Sequence, residues 1–138
     1  MALKVSIGRK QIKDGDILPL QLARKKPTID FNLEKYDTSK KHTIIVVDPD
    51  APSADNPIYK YWLHQLTINE TQNVLGYVPP SPPKNSGPHR YFFFLYEQQR
   101  NIDSDKININ LRKNFNLAQF VADNNLREVS SVYFVTQN

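Results

Sequence analysis

Apolar and polar positions along this 138-residue chain alternate mostly with a period of two, which predicts strands more than helices. Short runs at Lys4–Gly8 and Ile17–Leu22, parted by an Asp14-Gly15-Asp16 turn, read as the first strands. Pro27-Thr28-Ile29-Asp30-Phe31 reads as an edge strand opened by proline, which has no N–H to give a ladder. His42–Val47 (HTIIVV) is apolar and β-branched on both faces, the pattern of a central strand. It runs into Asp48-Pro49-Asp50-Ala51-Pro52-Ser53, where the prolines stop the ladder and force a loop. Across Trp62–Asn69 the alternation puts Trp62, His64, Leu66 and Ile68 on one face and Leu63, Gln65 and Thr67 on the other. Val78–Pro88 is a proline-rich loop, and it leads into His89–Tyr96, aromatic on both faces and predicted as another central strand.

One helix is signalled near residues 116–125. Asn116 can cap it, Gln119 stands three residues later as in a capping box, and Phe115 can staple against Phe120. Leu117, Phe120 and Val121 form its apolar stripe, Asn124-Asn125 ends it, and Val132–Val135 follows as a last strand. No repeat or linker divides the chain, so residues 1–138 are expected to form one domain. The fold class is mainly β, a sandwich or a large central sheet with one short helix.

Composition narrows the classes of function. No uninterrupted apolar run reaches the roughly 20 residues a spanning helix needs, and the amino terminus mixes charge too evenly for a secretory signal. Cysteine is absent, which excludes disulfides, thiolate catalysis and zinc–thiolate sites and favours a cytoplasmic location. The net charge is +4, but the basic residues are scattered, and the densest run, Arg24-Lys25-Lys26, lacks interleaved aromatics. A solvated basic surface is therefore expected, with no nucleic-acid partner and at most peripheral membrane contact.

Three segments hold polar groups that composition does not explain. Asp48 and Asp50 follow directly on a buried strand; alone, such a pair is more often an Asx turn with solvated carboxylates. His64 sits on an apolar strand face, where a lone histidine is more often a satisfied core residue. His89 and Tyr91 share a face while Arg90 turns away. Taken together, two acids, two histidines and a phenol lie at the ends of apolar strands, where burying them unpaired costs several kcal/mol. They are expected to pair with one another or with a ligand. Carboxylates beside histidines favour the protonated ring, and imidazole and phenol donors suit a phosphate or sulfate.

These segments also carry a resemblance. D-P-D-A-P-S at 48–53 followed by W-x-H at Trp62–His64 resembles the first signature of the phosphatidylethanolamine-binding protein family. Tyr77-Val78-Pro79-Pro80-Ser81-Pro82-Pro83 with Gly87-Pro88-His89-Arg90-Tyr91 is similar to the second, and Tyr96-Glu97-Gln98 follows as in the family. P-T-I-D-F at 27–31 and Arg112 with Phe115–Phe120 resemble further family segments. The resemblance implies a two-sheet antiparallel β fold with a small pocket for phosphate or phosphoethanolamine-like groups. Asp48, Asp50, His64, His89 and Tyr91 would line it, Pro52 and Tyr77 would shape its wall, and the Ser81 backbone N–H would donate to the anion. Ala51–Pro52 is the candidate for a cis bond.

Three departures from the family pattern bear on the loop. Pro79 stands where glycine is common and removes an N–H. Asn85 replaces a later glycine and tolerates left-handed geometry. The chain also stops short of the carboxy-terminal helix of eukaryotic members, from which a more open pocket is expected. Relatives imply a regulatory or inhibitory role through protein binding, with a kinase or protease as partner. No cofactor or metal is expected, and no catalytic residue is assigned. The alternative is a hydrolase using the same His/Asp cluster, metal-assisted or by acid–base chemistry, although the G-x-S-x-G elbow of one hydrolase class is missing.

Overall fold

The structure, a computed structural model, describes residues 3–31, 39–110 and 112–138. Among these residues nine strands run in chain order: β1 (Leu3–Ile7), β2 (Lys10–Gln11), β3 (Asp16–Ile17), β4 (Thr28–Phe31), β5 (His42–Asp48), β6 (Trp62–Ile68), β7 (Gln72–Leu75), β8 (His89–Glu97) and β9 (Arg127–Thr136). Among the described residues two short α-helices, α1 (Leu20–Ala23) and α2 (Leu117–Asp123), and a 3-10 turn at Ser104–Lys106 interrupt them. Three strands form a small sheet in the order β2-β1-β4, and six form a large one in the order β3-β9-β8-β5-β6-β7. Pairing is antiparallel except for the two-residue β3, which lies parallel to β9. No helix among the described residues is long and apolar enough to cross a membrane.

The predicted central strands are central. All seven residues of β5 are buried, with β8 on one side and β6 on the other. Its residues divide by parity between two cores. Ile44 and Val46 join Tyr91, Phe93 and Leu95 of β8 and Leu3, Val5 and Ile7 of β1, in the core between the sheets. Ile45 and Val47 face the other way, towards Leu63, Leu66, Phe115 and Leu117. A strand buried on both faces has no polar side to spare, hence the unbroken apolar runs.

At α2 the Asn116 side chain accepts from the Gln119 N–H at 3.1 Å, and Phe115 meets Phe120 with ring centroids 5.5 Å apart. The reciprocal half of the capping box does not form, because the Gln119 amide turns to Asp123 instead. The run Ile17–Leu22 departs from expectation: strand pairing ends at Ile17 and α1 begins at Leu20. Leu18 still gives its N–H to Val135 and takes the Thr136 hydroxyl, but Pro19 has no N–H to extend the ladder and fits the start of a helix.

Candidate functional site

The acidic loop leaves β5 at Asp48 and returns at Trp62, its ladder partner. Ala51–Pro52 is cis, as the resemblance implied, and Lys60–Tyr61 is cis as well. Asp48 does form the Asx turn, accepting the Asp50 N–H at 2.7 Å, yet neither carboxylate is solvated. The second Asp48 oxygen accepts from His89 Nδ1 at 2.7 Å. Asp50 takes three bonds from Arg90, one from the backbone N–H and two from the guanidinium fork, each 2.9 Å. Burial alone would raise the Asp50 carboxyl, but the hydrogen bonds and charge of Arg90 outweigh it and hold the group below the usual carboxylate range. Arg90 turns away from the His89 face, as predicted, and lies over the Phe92 ring.

His89 has both ring nitrogens engaged, Nδ1 with Asp48 and Nε2 with Ser86 Oγ at 2.9 Å. A serine hydroxyl has one proton, and the Pro83 carbonyl 2.6 Å away accepts it. Ser86 therefore offers a lone pair to Nε2, and Asp48 offers one to Nδ1.

The strand-face reading of His64 is corrected by the structure. Val46 pairs with Gln65 but Val47 pairs with Leu63, so His64 is the extra residue of a β-bulge. The bulge breaks the alternation. Leu63, Leu66 and Ile68 all point into the second core, while His64 turns to the opposite face and meets Tyr91 edge-on, 5.2 Å between centroids. Its Nδ1 donates to the Val78 carbonyl at 2.6 Å, which fixes the tautomer and leaves Nε2 for other partners. Burial lowers the His64 pKa; the Val78 carbonyl and Asp48 oppose this, and Arg112 and His89 add to it.

Tyr91 completes the group, stacked at 6.3 Å from His89. It is 1% exposed, and its hydroxyl has no hydrogen-bond partner among the described residues. Burial, and after it the charge of Asp48, holds the phenol well above its ordinary range, so it stays a donor.

A cavity of about 210 Å³ opens over these groups. That is below the roughly 300–1,000 Å³ of sites for drug-sized ligands and suits a small head group. Asp48, Pro52, His64, Ser81, His89 and Tyr91 line it. Asp50 and Tyr77 do not: Asp50 is drawn to Arg90, and Tyr77 packs against the core between the sheets. Tyr59, Trp62, Val78 and Pro79 are lining residues that the sequence reading did not assign to the site. Trp62 carried a signal, the W-x-H strand start; the others sit in loops whose path periodicity does not give. Across Pro79–Pro83 the one backbone N–H is that of Ser81, since every other residue there is proline. No three His, Asp or Glu residues among those described converge to hold a metal ion.

Known proteins resemble this chain in sequence and in fold. A family model described as phosphatidylethanolamine-binding protein matches residues 8–134. A phosphatidylethanolamine-binding protein homologue of Acanthamoeba polyphaga mimivirus is 44% identical over 142 residues, 97% of this chain and 96% of the relative. The carboxypeptidase Y inhibitor of Saccharomyces cerevisiae is 27% identical over 169 residues, 89% of this chain and 77% of the relative. A crystal structure of carboxypeptidase Y inhibitor with its cognate proteinase matches with a TM-score of 0.83 at 28% identity, covering 99% of this chain and 82% of that one. Phosphatidylethanolamine-binding protein from Plasmodium vivax shares the fold at 20% identity, TM-score 0.80, with 99% and 84% covered. The match runs through both sheets, the acidic loop and the His89 strand, and the chain belongs to the phosphatidylethanolamine-binding protein family.

Proposed function

We propose that this chain binds a small phosphate-bearing anion, such as phosphate or phosphoethanolamine, in the cavity over Tyr91, and does no chemistry on it. The observation that carries the reading is the buried Tyr91 hydroxyl, a donor without a protein partner among the described residues, on a side chain that lines the cavity. A buried donor of this kind costs about 1–3 kcal/mol unless something accepts its proton, and an anionic oxygen is the acceptor that gains most. The Ser81 N–H supplies a second donor. His64 Nε2, unprotonated at neutral pH, accepts from the P–O–H of a singly protonated phosphate group. His89 donates from Nδ1 to Asp48 and so occupies part of that carboxylate's acceptor capacity beside the cavity. Asp50 and Arg90 act one layer out, tying the acidic loop to β8.

Ser86, His89 and Asp48 have the connectivity of a hydrolase triad. The hydroxyl proton is directed to Pro83 and not to the imidazole, however, and Ser86 does not line the cavity. Binding without turnover is the better reading. The test is titration of 15N-labelled protein with phosphoethanolamine at pH 6 and pH 8.5. Shifts confined to Ser81, His64, His89 and Tyr91, and weaker at the higher pH, are expected. Saturable shifts centred elsewhere would overturn the site, and equal affinity at both pH values would remove the proton-dependent contacts.

A second reading concerns output. The likeness to a carboxypeptidase Y inhibitor, seen in sequence and in fold, favours restraint of a protease by protein binding. Assaying carboxypeptidase Y with increasing amounts of the purified chain tests this, and undiminished turnover at high excess would refute it for that enzyme.

A further inference from the structure

Arg112 stands outside the cavity, and its hydrogen bonds converge on one point of the chain. The bulge at His64 leaves the outer edge of β6 without a strand there, because β7 reaches back only to Leu66. Arg112 takes the place of that strand. Its carbonyl accepts the Leu63 N–H at 2.8 Å. One guanidinium nitrogen donates to both Leu63 O (3.1 Å) and His64 O (2.9 Å), and the other donates to Gly76 O at 2.9 Å. Two residues past Gly76, Val78 gives its N–H to His64 O and takes the His64 Nδ1 proton on its own carbonyl. Unlike Arg90 and Arg127, Arg112 has no ion pair with a described carboxylate, so its donors serve carbonyl groups.

We infer that Arg112 is the positioning residue of this site: its guanidinium clamps the bulge of β6 to the segment after β7 and so fixes the orientation and tautomer of His64. The physical need is plain. A bulge strands carbonyls that the ladder would have satisfied, and the planar fork of arginine reaches three at once, which an ammonium on a flexible stem does not. Releasing the clamp frees Gly76–Val78 to move, and Val78 O is the partner of His64 Nδ1 among the described residues. Without it, the proton is free to shift to Nε2, the nitrogen left for the cavity. The charge of Arg112 acts in the same direction, since it disfavours a proton on His64; Asp48 opposes it and His89 reinforces it. The inference rests on the anion-site reading for its importance to binding, though the geometry of the clamp does not depend on that reading.

The experiment uses the full chain labelled with 15N-histidine. The three imidazoles, His42, His64 and His89, are resolved by long-range 1H–15N correlation, with His64→Gln to assign its signal. In the wild type, His64 is expected as a single Nδ1–H tautomer. Arg112→Lys keeps the charge and loses the fork; tautomer exchange at His64 and roughly tenfold weaker phosphate binding are expected, the low end of what outer-layer partners contribute at ligating histidines. Arg112→Met also removes the charge, and the His64 titration then moves up towards its ordinary value. An Nε2–H tautomer in the wild type overturns the inference with no variant needed. So do folded Lys and Met variants whose His64 signals match the wild type. If the wild type binds no phosphate while His64 still responds to Arg112, the clamp stands and the anion reading falls.

Discussion

Replacing Tyr91 by phenylalanine separates the two roles of a buried hydroxyl. The ring stacks between His89 and Phe134, contacts that phenylalanine retains. What goes is one oxygen that is buried and, among the described residues, unpartnered. Such a group costs roughly 1–3 kcal/mol, and because removing the oxygen leaves a small void that offsets part of the gain, the low end of about 1 kcal/mol applies. For a chain of this length that corresponds to a melting temperature higher by about 3–4 °C. Affinity should move the opposite way. A hydrogen bond to a charged acceptor contributes about 1.5–3 kcal/mol, or a loss of roughly 10- to 100-fold in affinity. The assay is a thermal melt of ligand-free Tyr91→Phe beside the wild type, with calorimetric titration of phosphoethanolamine at pH 6. Tyr77→Phe serves as the control, since Tyr77 lies outside the cavity lining and its loss should leave affinity unchanged. A lower melting temperature with unchanged affinity would show that the Tyr91 hydroxyl is a structural group with a protein partner, and the case for a ligand at that oxygen would collapse.

Three other outcomes are expected. Arg90→Ala strips the Asp50 carboxylate of its fork; because Arg90 is half exposed, a loss of about 2 kcal/mol is expected in urea unfolding at pH 7, below the 3–5 of a fully buried pair. Asp50 has a depressed pKa, so its stabilisation is present above the ordinary carboxylate range and fades as the pH falls through the depressed value; the deficit of Arg90→Ala should shrink there. His64 is also depressed, by burial first, so stability that relies on its neutral form is present above about pH 6.5 and is lost as the pH falls through the lowered value. Urea midpoints at pH 7.5, 6 and 5 should therefore fall less steeply for His64→Gln, and parallel curves would contradict this. Gln98→Leu breaks a buried network in which the amide joins Thr43, Asn69 and Arg100, at a cost of about 2–4 kcal/mol by denaturation, with anion affinity unchanged because the network lies at the far end of β5.

Much of this was legible in the sequence, for physical reasons. The two-faced apolar runs of β5 and β8 fit central strands, and the Asn116–Gln119 spacing with its flanking phenylalanines marked α2. Asp48, His64, His89 and Tyr91 were found because polar groups at the ends of such strands need partners. The face of His64 was misread because alternation assumes an unbroken ladder, and nothing in W-L-H-Q-L-T-I marks the bulge. The contacts of Arg112 were hidden for a related cause: they run to carbonyls of a segment 48 residues away, a relation that no local spacing encodes. Asp50 was placed in the pocket by the resemblance and by its place in the polar cluster, but Arg90 competes for it from the opposite face of β8.

The proline loop has a consequence for the thermodynamics of whatever enters the cavity. Four of its five residues from Pro79 to Pro83 have φ fixed by their rings, so the segment has little freedom left to surrender when a ligand arrives. A glycine-bearing loop would have to be ordered at that moment; this one is ordered beforehand. The stiffness also concentrates information. Ser81 has the one exchangeable backbone amide from Pro79 to Pro83, so hydrogen exchange at that amide is the measurement to make there with and without phosphoethanolamine. Ser81→Pro would give a loop of five consecutive prolines, silent in that measurement and without a main-chain donor for an anion.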